Sequence, residues 1–139
     1  LEVPAGGSRR PTTAETLAEG LQFLKMQGPE VFRRAVRVVV ESANAAMARA
    51  DVASSEIDWF IPHQANARII DAAASRLGIP SERTIVNIER YGNTSAASIP
   101  LAMAEAADAG QFEDGQLILV SGFGAGMTWG SAVLRWGRA

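Results

Sequence analysis

Three short stretches of this chain hold groups that can steady a developing negative charge on oxygen. In Asp58-Trp-Phe-Ile-Pro-His-Gln-Ala-Asn-Ala67 an apolar segment runs into His63, the one histidine among 139 residues. Tyr91-Gly-Asn-Thr-Ser95 sets the side-chain amide of Asn93 beside a glycine, and Gly122-Phe-Gly-Ala-Gly126 leaves backbone amides open to approach. A histidine, an asparagine amide and a glycine turn can together donate hydrogen bonds to a carbonyl oxygen on its way to oxyanion or enolate. Each has a plainer reading when taken alone. A lone histidine is commonly a structural hydrogen-bonding residue, asparagine after glycine is an ordinary turn or cap residue, and Gly124 to Gly126 suits a plain hairpin.

Other chemistries are excluded by what the chain lacks. Cysteine is absent, which removes disulfides, thiolate metal ligands and a thiol nucleophile together. One histidine without cysteine leaves no zinc set, and neither a Ser-His-Asp arrangement nor a carboxylate pair emerges from spacing, so no metal is expected. Thirteen Lys and Arg against fifteen Asp and Glu, without a basic stripe, argue against nucleic-acid binding. No apolar run reaches the roughly 18 residues of a membrane span, and the N-terminus lacks the pattern of a secretion signal, so a cytoplasmic location is expected.

The elements that must position these groups follow from periodicity. Residues 1–11 read as loop, Thr12-Thr-Ala-Glu15 as a capping box before a short helix, and Leu21 to Met26 as a first strand. Gly28-Pro29-Glu30 opens a long helix to about Ala50. Ile57 to Ile61 is a second strand, followed by a helix from about Gln64 to Leu77 that Gly78 and Pro80 stop. Thr84 to Ile88 is a third strand, and a helix after Ser95 runs to about Ala109 with Pro100 forcing a bend or an irregular first turn. Gln116 to Phe123 and Thr128 to Trp136 form an antiparallel pair. Trp59, Trp129 and Trp136 read as core, and Arg33, Arg68 and Arg76 as solvated helix charges. The order predicts one α/β domain over residues 1–139, a five-stranded mixed sheet with one antiparallel edge strand and helices on both faces. From Thr94 through Ala104 there is no charge on any face. A helix apolar all round is buried all round, so something beyond this sheet must cover it.

Pro62-His-Gln-Ala-Asn66, Tyr91-Gly-Asn-Thr-Ser-Ala-Ala-Ser98 and Gly122-Phe-Gly-Ala-Gly-Met-Thr-Trp-Gly130, in this order and spacing, resemble the C-terminal half of the β-ketoacyl-acyl carrier protein synthase III family. Leu24-Lys-Met-Gln-Gly-Pro-Glu-Val-Phe32 is similar to the opening of that half. The resemblance implies a thiolase-like fold of two similar halves with a shared helix layer, to which the uncharged helix would belong. It implies an acyltransferase that loads an acyl group from acyl-CoA on a Cys of the N-terminal half, then condenses it with malonyl-carrier protein as carbon dioxide leaves.

By motif His63 matches the family's catalytic histidine and Asn93 its catalytic asparagine. The turn Gly124, Ala125 and Gly126 would supply an oxyanion-hole amide, and Phe123 would line the acyl pocket. Gly28, Phe32, Ala65, Asn66 and Arg68 would line the channel for the pantetheine arm, and Arg33, Arg68 and Arg76 would meet the acidic carrier protein. The resemblance further implies no cofactor beyond the substrates acyl-CoA and malonyl-carrier protein, a missing N-terminal half as partner, a homodimer, and no activity for this piece alone. Two alternatives stand beside it: a polyketide-priming ketosynthase or acyltransferase of the same superfamily, and a non-catalytic half-domain that docks a partner.

Overall fold

A computed structural model describes residues 2–137, which fall into two compact units dividing between Arg34 and Ala35. In the first unit α1 (Ala14–Ala18) starts one residue later than the sequence suggests. The reciprocal cap is Thr13 with Thr16: the Thr13 hydroxyl accepts from the Thr16 amide at 3.2 Å, and Thr16 Oγ1 accepts from the Thr13 amide at 2.8 Å. The first predicted strand does not form. After Gly20, at φ 66°, the backbone turns, and within 21–26 only Lys25 makes a strand-like bridge, antiparallel to Glu2. Helix α2 (Gly28–Ala50) then begins as expected, with Pro29 and Glu30 in its first turn and Arg49 in its last.

The second unit contains β1 (Trp59–Pro62), α3 (Ala67–Leu77), α4 (Ile88–Tyr91), α5 (Ser98–Asp108), β2 (Leu117–Phe123) and β3 (Trp129–Arg135). Among the described residues the sheet has three strands, ordered β1-β2-β3, not five. Strands β1 and β2 are parallel and β2 and β3 antiparallel, so the mixed sheet and its antiparallel edge strand form as predicted. Side chains alternate across it with a period of two. Phe60 and Leu119 face Val39, Ala43 and Met47 of α2 and Ala73, Ala74 and Leu77 of α3. Ile61 and Ile118 face the other way, onto Ala102 of α5 with Ile99 and Met103 beside it. Helices therefore cover both faces. Trp129, read as core, is instead 52% exposed on the edge strand, while Trp59 and Trp136 are partly buried beside Phe112.

The other missing strand has a specific cause. Thr84 makes one parallel bridge to Phe60, and the Ile85 amide donates to the Phe60 carbonyl at 2.9 Å. Beyond that point a side chain replaces the backbone ladder. Gln64, fully buried, donates from Nε2 to the carbonyls of Pro62 at 2.8 Å and Ile85 at 3.2 Å, and its Oε1 accepts from the Asn87 amide at 3.0 Å. A carboxamide presents the same donor and acceptor as a peptide group, so the segment is tied to the end of β1 without becoming a strand. Asn87 then leaves the extended path, and its carbonyl accepts from the amides of Arg90 and Tyr91 in α4.

A second tie holds α4 and the loop after it. Glu105 of α5 accepts from Asn87 Nδ2 at 2.7 Å and from the Tyr91 hydroxyl at 2.5 Å, while the Arg90 guanidinium meets both of its oxygens at 3.2 Å. Helix α5 itself is preceded by a 3₁₀ turn at Ser95–Ala97, which is the irregular start expected from Pro100. Pro100 sits in the first helical turn, where its missing amide hydrogen has no intrahelical acceptor to lose. Ser98, Ala102 and Ala106 form the buried stripe of α5, and Pro100 and Ala104 stay exposed. The sheet thus covers one side of an almost uncharged helix and leaves its other side open.

Replacing Gln64 by leucine leaves the Ile85 carbonyl and the Asn87 amide without partners, at a cost of about 2–4 kcal/mol. Urea unfolding monitored by circular dichroism should show the lower midpoint with an unchanged slope. The Glu105 carboxyl is held below its ordinary pKa, first by the hydrogen bond from Asn87 and then by that from Tyr91. A depressed folded-state pKa gives stability that is present above the unfolded value, near 4.5, and is lost as pH falls through the folded value. Glu105→Gln should therefore flatten the acid limb of a stability-pH curve, and an acid limb identical to wild type would count against this tie.

Candidate active site

His63 follows β1 directly, and its amide donates to the Ser121 carbonyl of β2 at 2.8 Å, continuing the parallel ladder one residue past the strand. The predicted helix does not start at once. Gln64 and Ala65 form a tight turn in which the Ala65 amide returns to the His63 carbonyl at 2.9 Å. Asn66 then caps α3, its Oδ1 accepting from the Arg68 amide at 2.9 Å, and Gly78 in the left-handed region ends the helix. The imidazole is thereby fixed at the carboxyl end of a strand, where open parallel sheets place ligands.

Two contacts orient the ring. Its Nδ1 lies 2.6 Å from the hydroxyl of Ser98, the first residue of α5, and its edge meets the Phe123 ring at a centroid distance of 5.7 Å and 74° between planes. His63 and Phe123 share a small, mostly apolar hollow with Val39, Ile69, Ile70 and Ser121. Burial in these surroundings lowers the histidine pKa, which favours the neutral ring over the imidazolium. The Ser121 hydroxyl accepts from Ser131 at 2.7 Å, and Ser131 meets Ser42 of α2 at the same distance, a line of hydroxyls entering the hollow from α2.

Asn93 reaches the region by a different route. It is exposed in the loop between α4 and α5, and its Oδ1 accepts from the Ser95 amide at 2.9 Å. With the oxygen engaged, the amide hydrogens on Nδ2 are the groups left to donate outward. The loop backbone is unusual: Gly92 has φ 66° and Ser95 φ 53°, a conformation a serine adopts at a cost. Asn93 does not line the hollow of His63. It is joined to it through Ser98, five residues on, which limits its distance along the chain to roughly 17 Å.

The turn between β2 and β3 divides its amides. Gly124 donates to the Thr128 carbonyl at 2.8 Å and is committed to the hairpin, whereas the amides of Ala125 and Gly126 have no described partner. Gly126, at φ 76°, is the residue whose conformation needs glycine there. Ala65 is half-buried beside His63, and Arg68 and Arg76 are exposed on the first and last turns of α3. Gly28, Phe32 and Arg33 lie on the opening turns of α2 in the first unit.

Gln64, Asn87, Ser98 and Glu105 were not singled out from sequence. Gln64 offered one signal, a polar side chain between an apolar strand and a helix, while Ser98 looked like any small residue of an apolar helix. No cluster of three His, Cys, Asp or Glu exists among the described residues, and no described helix is long and apolar enough to cross a membrane.

Comparison with known proteins shows which family the chain resembles. The C-terminal domain family of 3-oxoacyl-[acyl-carrier-protein (ACP)] synthase III matches residues 47–136. The β-ketoacyl-[acyl-carrier-protein] synthase III of Symbiobacterium thermophilum is 51% identical over 138 residues, which are 99% of this chain and 42% of that protein. Among solved structures, the synthase III of Thermus thermophilus superposes with a TM-score of 0.81 at 54% identity, over 85% of this chain and 37% of the other. The priming β-ketosynthase of the R1128 polyketide biosynthetic pathway superposes with a TM-score of 0.76 at 36% identity, over 89% and 39%. The chain thus spans about two-fifths of the length of such relatives. It belongs to the 3-oxoacyl-[acyl-carrier-protein] synthase III family, in the region of the family's C-terminal domain, and has that family's thiolase-like fold.

Proposed function

We propose that this chain provides two of the three catalytic side chains of a decarboxylating condensing enzyme, which joins an acyl-CoA starter to malonyl-acyl carrier protein at the start of fatty acid synthesis. The observation that supports the reading is an imidazole anchored through Nδ1 to Ser98 with its pKa lowered by burial, and, on the loop that leads to Ser98, an asparagine whose oxygen is already bonded. Both then offer N–H donors. As carbon dioxide leaves the malonyl group, electrons move toward the thioester oxygen, and His63 and Asn93 donate to that oxygen as it becomes enolate-like. A neutral ring suits the task, since an imidazolium would hand a proton to the carbanion. Each such donor is worth on the order of 3 kcal/mol at the transition state.

The nucleophile must come from elsewhere, because the chain has no cysteine. In this reading a Cys-bearing N-terminal half lies over the open side of α5, and the full enzyme is a cytoplasmic homodimer without a cofactor. The acyl oxyanion is met by the free amide of Ala125 or Gly126, with Phe123 against the acyl chain. Ala65, Asn66 and Arg68 flank the pantetheine arm, and Arg68 and Arg76, about 12 Å apart along α3, face the acidic carrier protein. The roles of Gly28, Phe32 and Arg33 rest on sequence resemblance alone. A polyketide-priming role is the second reading, favoured by the likeness to the R1128 ketosynthase, and it differs in the starter group.

In the full-length enzyme, His63→Ala and Asn93→Ala should each lower the condensation rate about 10²- to 10³-fold while leaving uptake of the acyl group from acyl-CoA within a few-fold. Equal loss of loading and condensation would contradict a role confined to the malonyl half-reaction. The 139-residue chain alone should neither take up radiolabel from acyl-CoA nor form a ketoacyl product, and turnover by it would refute the split site.

A further inference from the structure

We propose that Ser98 is the positioning residue that sets the tautomer of His63, making Nδ1 an acceptor and leaving the single ring proton on Nε2. The inference rests on the reading of His63 as a neutral donor, and it names the group that makes Nε2 the donating atom. It follows from counting hydrogens. A serine hydroxyl has one hydrogen to give and two lone pairs to offer. Ser98 Oγ lies 3.3 Å from the Gln64 backbone nitrogen, which can only donate, so one lone pair is taken. Its other partner is His63 Nδ1 at 2.6 Å.

Ser98 is 1% exposed, so its hydrogen has no bulk water to reach, and among the described hydrogen bonds Nδ1 is the sole acceptor open to it. A proton on Nδ1 would aim two donors at one oxygen and strand the hydroxyl hydrogen in a dry site. With Nδ1 accepting, both hydrogens are placed, and a neutral imidazole that accepts at one nitrogen carries its proton on the other.

The backbone amide that forces this choice is itself fixed. Gln64 is held through its side chain by Pro62, Ile85 and Asn87, so its N–H has no freedom to turn from Ser98. Nor does a charge compete for the ring. Val39 from α2, Ile69 and Ile70 from α3, Phe123 from β2 and Ser98 from α5 surround it, none of them ionisable. The same hydroxyl resists protonation of the ring, because an imidazolium would need Nδ1 as a donor. Ser98 touches no substrate in this account; it acts through His63.

His63 is the chain's only histidine, so ¹⁵N labelling of imidazole gives one ring's two nitrogens without assignment ambiguity. At neutral pH the wild-type chain should show an unprotonated Nδ1 and a protonated Nε2, with the two tautomers differing about tenfold or more in population. Ser98→Ala should lower that ratio about tenfold and raise the ring's pKa, since the neutral form loses its donor, and Ser98→Thr should restore both. A packing role alone would leave the tautomer where it is. A wild-type ring protonated at Nδ1, or a wild-type ratio in Ser98→Ala, would overturn the assignment. If Ser98→Ala fails to fold, as judged by amide dispersion, the wild-type spectrum and the threonine variant decide it. These spectra require no turnover, so failure of the tautomer assignment and failure of the condensing role show in different experiments.

Discussion

Polar groups sealed from water behind His63 must satisfy one another, and this constraint organises the rest of the site. Gln64 and Ser98 are both buried to within 1%, and neither is spared a hydrogen bond. An unpartnered polar group in such a place costs about 1–3 kcal/mol, so only a few arrangements of β1, the 85–87 segment and the start of α5 are affordable. The one observed ties three chain segments, far apart in sequence, to a single strand end. Strand β1 delivers the imidazole, Gln64 holds the following segment, and Glu105 reaches back from α5 to hold Asn87, Arg90 and Tyr91. The loop bearing Asn93 is therefore clamped at both ends, by α4 and by Ser98.

The division of labour follows from where charge is tolerated. Around His63 the walls are apolar or carry hydroxyls, which keeps the ring neutral and makes a fixed N–H donor stronger than it would be in water. The ionic groups sit one layer out: Glu105 with Arg90 and Tyr91 braces the loop from a more exposed position, where partial hydration makes a carboxylate cheap to hold. In the proposed reaction, such a site would stabilise negative charge as it appears without holding a permanent counter-charge that would bind the ground state equally well.

Much of the local structure was legible because it follows from single residues. Pro29 and Glu30 mark the start of α2, Gly78 ends α3, and the glycines after Phe123 produce the antiparallel pair. His63 and Asn93 stood out by type and setting. The strand count did not come through, because hydrophobic alternation at 21–26 and 84–88 reports the face a residue presents and says nothing about what its backbone pairs with. In the first case a turn at Gly20 intervenes; in the second a glutamine side chain takes the place of a neighbouring strand. Ser98 was invisible for a related reason. In a run of small residues a serine looks like filler, and only the 2.6 Å approach of an imidazole from another element gives it a role.

The central claim is that His63 and Asn93 donate to the same oxygen. A crystal structure of the full-length enzyme with a non-hydrolysable malonyl thioester analogue tests it most directly. The account predicts His63 Nε2 and Asn93 Nδ2 both within roughly 3.2 Å of the thioester oxygen. Two donors that face apart, or an analogue bound with its carbonyl out of reach of either, would contradict it.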